Sequence, residues 1–345
     1  MKKRSNLLYY IVVAILVIAC GLNFYHVDTY VTMPGSADEI KPMLSVEDGS
    51  ESKGSYNLVT ILVDQKRSNV YRYLWAKFDG NPYTQLMPAE AMTGPDENQH
   101  EREVSRLDNM TQAQQRAIYV AAKTAGLDPK LKFVGVHILN VISDMPASDK
   151  LKAGDIILKA SGKDIRSSEQ LQKIVKQQNK GDRLSLTIRR DDEEKTYQVP
   201  VGQFPDVYVS DDHSKQYGIG ITFRDKMDVQ LDRKVTIDTK NIGGPSAGLM
   251  MTLAVYDNLE PKDLTKGRKI CGTGTINTDG SVGPIGGIQQ KVVASDNANC
   301  DIFFAPTADN EAQDAKAAAK DIKTDMKVIP TKSFNTALND LQKQN

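Results

Sequence analysis

The sequence is poor in the side chains from which most catalytic and metal sites are built. Its 345 residues include only four histidines and three cysteines. The cysteines match no zinc-ligand spacing, no H-E-x-x-H motif occurs, and no G-x-x-x-x-G-K-[ST] loop is present to cradle ATP phosphates. We therefore expect no metal, no cofactor and no ATP-driven step. Cys271 and Cys300 could pair outside the cell, but the simpler interpretation is two small buried apolar side chains.

Net charge is also absent, because 44 basic residues balance 44 acidic ones. Without a global positive field, the chain lacks the electrostatic footprint of a nucleic-acid-binding protein. Hydrophobic residues make up 40% of the sequence, and the chain is long enough for two or three domains with separate cores. We expect a folded protein of several domains that does not bind nucleic acid.

The N-terminus combines positive charge with a long apolar run. The basic residues 2–4 precede an apolar run over residues 7–24, which as a helix would just span about 30 Å of hydrocarbon. Basic residues before the run and acidic residues after it predict a cytoplasmic N-terminus and an extracellular remainder. No A-x-A site follows, so we expect an uncleaved single-pass anchor in the cell membrane over residues 1–26. The segment ending at Cys20 also resembles a lipoprotein processing box, which would make that cysteine a lipidated N-terminus.

Residues 27–126 form the next predicted region and show mixed local signals. Leu58–Val63 and Val70–Phe78 are rich in β-branched and aromatic residues and predict strands. Met110–Ala125 has helical spacing, with Thr111 as the N-cap and Gly126 as the stop. We identify no candidate catalytic residues in this region and expect it to pack against the later domains.

Residues 127–202 form a predicted αβ unit. A strand over Val134–Val141 is followed by turn residues and an apolar run, Leu151–Leu158. A helix over Ser168–Gln178 and a strand over Arg183–Arg189 complete the unit. Composition alone indicates an ordinary small sandwich in which glycine and proline serve turns.

The segment Gly-Gly-Pro-Ser-Ala-Gly, residues 243–248, carries a candidate nucleophile. It precedes an apolar helical pattern over residues 249–259, and Pro245 suits the first helical position, which predicts Ser246 in the first turn. The N–H groups of the first turn would then face the hydroxyl, and Gly244, Pro245 and Ala247 would border a developing oxyanion. The simpler interpretation is a helix start capped by a serine.

Histidine partners for this serine are constrained by chain order. The segment also matches G-x-S-x-G, the nucleophile elbow of α/β hydrolases, which requires a histidine after the serine. All four histidines precede Ser246, so that order is excluded. A histidine-first triad through His137 or His213 remains open.

A lysine later in the chain offers another base. Asp279 and Gly280 mark a turn, and the glycines at 286–287 open a helix on which Ile288, Lys291, Val292 and Ser295 share one face, with Gln289 and Gln290 pointing away. A lysine on an apolar face loses solvation, so its pKa falls and its neutral amine can accept a proton. The alternative is a lysine whose stem packs while its head reaches water.

Two stretches resemble known families. Asp144–Ala147 followed by Leu151–Leu158 resembles the PDZ domains of bacterial proteases. The resemblance implies that a peptide adds as a strand at the sheet edge beside the helix at 168–178. It also implies that the peptide terminus meets a loop formed by Phe133, Val134, Gly135 and Val136.

The second resemblance covers residues 217–345. Gly-Pro-Ser-Ala-Gly, then Thr273-Gly274, then Pro-Ile-Gly-Gly-Ile-Gln-Gln-Lys at 284–291 resembles the proteolytic domain of the Lon family. It implies that Ser246 is the nucleophile, Lys291 the base, and Thr273 a hydroxyl that orients one of them. Lon proteases usually carry acidic residues where this chain has Gly243 and Thr275, so control of activity should differ.

Together the segments predict an α+β protein with a transmembrane helix, a PDZ-like domain over 127–202 and a Lon-type α/β proteolytic domain over 203–345. This order resembles the ATP-independent, PDZ-containing Lon-like secreted peptidases of Gram-positive bacteria. We expect an extracellular serine endopeptidase that cleaves exported peptides, unfolded segments or membrane-tethered precursors, alone or as a homo-oligomer. The alternative is a catalytically inactive, peptide-binding membrane scaffold.

Overall fold

A computed structural model describes residues 2–92, 94, 97–205, 208 and 216–343, with side chains from residue 8 onward. His213 lies outside the described residues. The helices are α1 (Lys2–Phe24), α2 (Val70–Phe78), α3 (Ala89–Met92), α4 (Gln99–Thr124), α5 (Ser168–Lys176), α6 (Gly248–Leu259), α7 (Ile288–Asn297), α8 (Glu311–Asp321) and α9 (Phe334–Lys343).

The strands fall into two larger sheets and several short pairs. They are β1 (Thr29–Glu39), β2 (Leu44–Val46), β3 (Ser55–Val63), β4 (Gln85–Pro88), β5 (Lys130–Val141), β6 (Ile156–Ala160), β7 (Lys163–Asp164), β8 (Arg183–Arg190), β9 (Glu193–Pro200), β10 (Gly202–Gln203), β11 (Tyr217–Gly218), β12 (Ile221–Gln230), β13 (Val235–Ile237), β14 (Lys269–Gly272), β15 (Thr275–Ile276), β16 (Val282–Gly283), β17 (Ile302–Pro306) and β18 (Lys327–Thr331).

The first sheet has the order β18-β17-β14-β3-β1-β4 and lies between two layers of helices. Its central strands are apolar on both faces, as expected for parallel strands covered on both sides. Ile270 and Phe304 pack with α4, α6 and α9, whereas Cys271 and Phe303 pack with α7 and α8. The alternation of side chains along β14 and β17 thus divides the core into two layers.

This sheet crosses the predicted division of the chain. β3 lies within region 27–126, yet it pairs in parallel with β14, with Leu58 opposite Gly272. The N-terminal region therefore supplies three strands of the sheet that carries β14 and β17, rather than packing on it from outside.

The second sheet has the order β12-β5-β6-β8-β9, with β7 paired to β6. Leu171 of α5 and the inward residues of β5, β6 and β8 form its core. Strand β12 pairs along its length with β5, from Ile221 opposite Val141 to Gln230 opposite Lys130. This sheet thus extends past the predicted boundary at 202/203.

Phe133, Val134, Gly135 and Val136 do not form a peptide-binding loop, so that prediction is wrong. They lie inside β5, where Val136 pairs with Asp225 on one side and with Ile157 on the other. Val136 is fully buried. At Phe133 and Gly135 the edge toward β12 is likewise occupied, so a peptide cannot add to this segment on that side.

Two local predictions in region 27–126 are also wrong. Val70–Phe78 is helix α2, begun by Asn69, whose side chain accepts from the Arg72 amide. Helix α4 begins earlier than predicted, at a capping box of Asn98 and Glu101. Thr111 therefore lies within α4, where its hydroxyl donates to the Leu107 carbonyl.

The apolar N-terminal run is helical, as α1. Among the residues that the structure describes, however, no helix has both the length and the apolar character needed to cross a membrane. The predicted transmembrane anchor is therefore not supported. Cys20, the residue of the lipoprotein alternative, is an exposed free thiol on this helix.

Candidate active site

Ser246 lies in the tight turn just before α6. The helix begins at Gly248, so Ser246 precedes it and does not occupy its first turn, and Pro245 is not its first helical residue. Gly244 has a φ of 88°, which favours glycine, and its amide donates to the carbonyl of Arg106 on α4. Ser246 is half-buried at the surface end of this turn.

Lys291 projects from the apolar face of α7. The helix follows Gly287, whose φ is 73°, and its residues Ile288, Lys291 and Val292 are all buried. Gln290 is buried as well, because its amide contacts Thr32 Oγ1 of β1 at 3.3 Å, so it does not point away as expected. Lys291 is therefore almost completely enclosed by protein, with 2% of its surface exposed.

The structure brings the serine, the lysine and Thr273 together. Lys291 Nζ lies 2.8 Å from Ser246 Oγ and donates to Thr273 Oγ1 at 3.0 Å. Thr273, just after β14, donates its own hydroxyl to the Ser246 carbonyl at 3.0 Å. The Gly274 amide donates to that same carbonyl at 2.8 Å, so both residues after β14 hold the serine turn in place.

Burial sets the protonation of the lysine. Lys291 is 2% exposed, and desolvation lowers its pKa from 10.5 to about 8. The nearby carboxylate of Glu311 acts in the opposite direction and raises that pKa. At mildly alkaline pH the amine is therefore neutral in a sizeable fraction of molecules and can accept a proton.

Glu311 is the site residue that sequence reasoning missed. It is 6% exposed at the start of α8, where its Oε1 accepts from the Ile285 amide at 2.8 Å, while its Oε2 has no partner among the described residues. Burial raises the pKa of Glu311. It holds the turn that begins α7 and also supplies negative charge to Lys291. The sequence offered only a weak signal for it, an acidic residue at the start of the helix that follows the apolar strand β17.

The other predicted partners lie elsewhere. His137 Nδ1 contacts Asp108 Oδ1 at 2.6 Å in the interface between α4 and β5, and it makes no hydrogen bond to Ser246 within the described part of the chain. A side chain at Gly243 would collide with Arg106, since a Cβ there would lie 2.3 Å from its Cγ. Any side chain at this position would therefore require Arg106 to move.

A disulfide closes the back of the site. Cys271 of β14 and Cys300, three residues after α7, are bonded, with Cα atoms 5.9 Å apart. The two cysteines are thus not merely small buried side chains. The bridge ties the strand that leads to Thr273 to the end of the helix that carries Lys291. Clusters that could hold a metal ion are absent from the described residues.

The sheet edge beside α5 belongs to β12. The amide of Ser168, at the start of α5, donates to Asp225 Oδ1 at 2.6 Å. Beyond this point α4 covers the edge, because Gln112 donates to the Asp225 carbonyl and Gln115 accepts from the Val229 amide. Only the first residues of β12 therefore leave an edge on which another strand could add.

Two family models match the chain. One described as a PDZ domain matches residues 103–201, and one described as the Lon protease (S16) C-terminal proteolytic domain matches residues 206–343. These matches confirm both resemblances read from the motifs.

Individual relatives match shorter stretches. A Lon protease of Desulfosudis oleivorans is 34% identical over 94 residues, which is 27% of this chain and 11% of that protein. A probable periplasmic DegP-like serine endoprotease of Halomonas elongata is 33% identical over 119 residues, 34% of this chain and 24% of that protein. The solved PDZ domain of an SdrC-like protein from Listeria monocytogenes is 26% identical, with a TM-score of 0.24, over 27% of this chain and 92% of that one. The chain thus spans a quarter or less of the curated relatives' length.

Proposed function

Because the chain joins a PDZ domain to a Lon-type proteolytic domain, we propose that it is an ATP-independent serine endopeptidase with Ser246 as nucleophile and Lys291 as general base. The contact of 2.8 Å between Lys291 Nζ and Ser246 Oγ carries this proposal. The buried position of the lysine supports it further, since an exposed amine would stay protonated near pH 7.

The proposed first step forms an ester. Neutral Lys291 takes the proton of the Ser246 hydroxyl as Oγ attacks the peptide carbonyl, and the resulting ammonium gives that proton to the departing amine. Water then attacks the ester, and the lysine again takes and returns a proton. One amine hydrogen engaged by Thr273 turns the nitrogen lone pair toward Ser246.

The oxyanion needs a backbone donor near Ser246. The Gly244 amide already donates to Arg106, Pro245 has no N–H, and the Gly248 amide donates to the Pro245 carbonyl at 3.2 Å. Of the residues predicted for this role, Ala247 is thus the donor we propose.

Substrates of this enzyme are extended peptides. No P-loop occurs in the 345 residues, so we propose cleavage of chains that are already extended. We propose that a substrate tail adds along Ile221–Arg224 of β12, the edge that α4 leaves open, rather than along residues 133–136.

We also propose that the catalytic domain works outside the cytoplasm. The Cys271–Cys300 disulfide supports this location, because such bonds persist in oxidising compartments and are rare in the cytosol.

Cleavage of an unfolded protein and of a short peptide tests the dyad. Ser246→Ala and Lys291→Ala should each abolish turnover, whereas Ser281→Ala and Lys316→Ala, which replace a half-buried turn serine and an exposed α8 lysine, should leave it unchanged. Turnover retained by either dyad variant refutes the mechanism. A wild-type protein that binds peptides without cleaving any of them would instead favour the inactive scaffold.

A further inference from the structure

A basic depression of about 430 Å³ lies where α1 ends and α2 begins, away from the dyad. Its lining includes Lys66, Arg67 and Arg72 against a single acidic residue, Asp64. Arg72 is committed to Asp64 through two hydrogen bonds of 2.8 and 3.0 Å. Lys66 and Arg67 supply the remaining positive charge, and Arg67 contacts the exposed Asp28 at 2.6 Å.

A buried hydroxyl in this lining has no partner. Ser68 is 2% exposed, and its Oγ makes no hydrogen bond within the described residues. Its backbone is fixed on both sides, because the carbonyl accepts from Val27 and the amide donates to Thr29. An unpaired buried hydroxyl is unfavourable, so a ligand oxygen that accepts from it would be favoured.

The N-terminal end of α2 also favours the binding of an anion in this depression. The nine-residue helix begins beside the depression at Asn69, whose side chain caps the Arg72 amide. The first-turn amides and the positive end of the helix dipole lie next to the basic side chains. A group with several acceptor oxygens and negative charge, such as a phosphate, matches this set of donors.

One face of α2 is apolar and exposed. Tyr71, Leu74 and Trp75 are each 42% exposed and Phe78 is 77% exposed. Arg72 lies over the Trp75 ring at 4.3 Å. Aromatic side chains beside cationic ones are typical of surfaces that lie at the level of lipid headgroups.

This face is continuous with the exposed apolar side chains of α1. Tyr71 Oη donates to the Ala19 carbonyl of α1 at 2.5 Å, and Asn69 donates to Asn23 Oδ1 at 2.9 Å. Residues 8–18 of α1 include many exposed apolar side chains. Apolar residues of two helices and one basic depression therefore lie together. An anionic lipid surface complements both, whereas a second copy of this chain carries no net negative charge that would attract it to the basic depression.

We propose that this depression binds the phosphate of an anionic phospholipid, with Lys66, Arg67 and Ser68 as its polar contacts. The aromatic face of α2 then lies in the headgroup layer. The surface thereby places the protein at a lipid bilayer and does so independently of the peptidase mechanism.

The single tryptophan of the sequence makes the test clean, because Trp75 alone reports on this face. The full chain is titrated with vesicles of phosphatidylglycerol or of phosphatidylcholine while Trp75 emission is recorded. A blue shift with phosphatidylglycerol, quenched by lipids brominated near the headgroup, is the expected result. Trp75 emission that stays unchanged while the protein sediments with the vesicles overturns the proposal.

Charge and hydroxyl variants identify the site. Lys66→Gln with Arg67→Gln should weaken binding to anionic vesicles roughly 30-fold, at about 1 kcal/mol for each basic residue and tenfold for each 1.4 kcal/mol. Ser68→Ala should weaken it about tenfold without loss of folding, since its hydroxyl makes no hydrogen bond to any residue that the structure describes. Removing two exposed charges of α8, Lys316→Gln with Lys320→Gln, is the matched control and should change nothing.

Other outcomes exclude the lipid assignment. The same saturable emission change with glycerol phosphate or inorganic phosphate alone would identify a soluble ligand. A shift that depends on protein concentration without lipid would identify a second copy on this face. Equal binding by all the variants would show that α1 alone holds the vesicle.

Discussion

Replacing Lys291 by methionine should make the protein more stable and inactive at once. The pKa of Lys291 falls from 10.5 to about 8 in the folded chain. Each pKa unit corresponds to about 1.4 kcal/mol, so holding the ammonium form in this site costs about 3 kcal/mol below pH 8. Methionine fills the same space without that charge. It forfeits the two contacts to Ser246 and Thr273, each of about 1 kcal/mol, which leaves a net gain of about 1–2 kcal/mol at pH 7.

The same pKa shift predicts how the free energy of unfolding changes with pH. Between about pH 8 and pH 10.5 the unfolded chain still binds the lysine proton that the folded chain has released. The free energy of unfolding therefore rises with pH across that window, and the lysine contributes no slope below it. Urea unfolding followed by circular dichroism should show this rise in the wild type and in Lys316→Met, but not in Lys291→Met. A Lys291→Met protein that is less stable than wild type at pH 7, with the wild-type slope retained, would refute the account of a desolvated amine.

Three further changes probe the surroundings of the dyad. Thr273→Val should lower kcat roughly tenfold by removing one contact to the lysine amine, and Thr273→Ser should restore it; equal losses in both would contradict an orienting role. Glu311→Gln should move the alkaline rise of kcat/KM to lower pH, because the carboxylate raises the pKa of Lys291, and an unmoved profile would exclude that influence. Cys271→Ser with Cys300→Ser should lower the free energy of unfolding by about 3–4 kcal/mol, the entropy of closing a loop across 29 residues; unchanged urea midpoints would show that the bridge does not constrain the unfolded chain.

Local sequence patterns predicted the parts of the site that depend on neighbouring residues. The glycines before Ser246 and before Lys291 marked two helix starts, and the spacing on α7 placed the lysine on the buried face. Each of these signals spans less than three helical turns, so it does not depend on how distant parts of the chain pair. Such signals locate a helix boundary only to within one or two residues, so they placed Ser246 inside the first turn of α6 rather than just before it.

Long-range pairing could not be read in the same way. Leu58 and Gly272 lie opposite each other in parallel strands, although more than 200 residues separate them along the chain. Nothing in the composition of region 27–126 indicates that it supplies strands to the sheet that carries β14 and β17. Glu311 escaped notice for the same reason, because its meaning depends on Ile285 in another element.

Propensity misled the prediction at α2. Val70, Tyr71 and Trp75 favour a strand by residue type, but Asn69 caps a helix and one apolar face stays exposed. The segment breaks the usual rule that apolar residues of a helix turn inward. That departure is the feature from which we infer a lipid-facing surface.

The pH dependence of Ser246 phosphonylation is the most direct test of the Ser246–Lys291 mechanism. A fluorophosphonate probe, followed by mass spectrometry of the intact protein and its peptides, measures the rate at which this one hydroxyl reacts. We predict a single label on Ser246 whose rate rises through about pH 8, the pKa of Lys291, and a loss of that rise in Lys291→Ala. A label on another residue, or the same pH profile with and without the lysine, would contradict it.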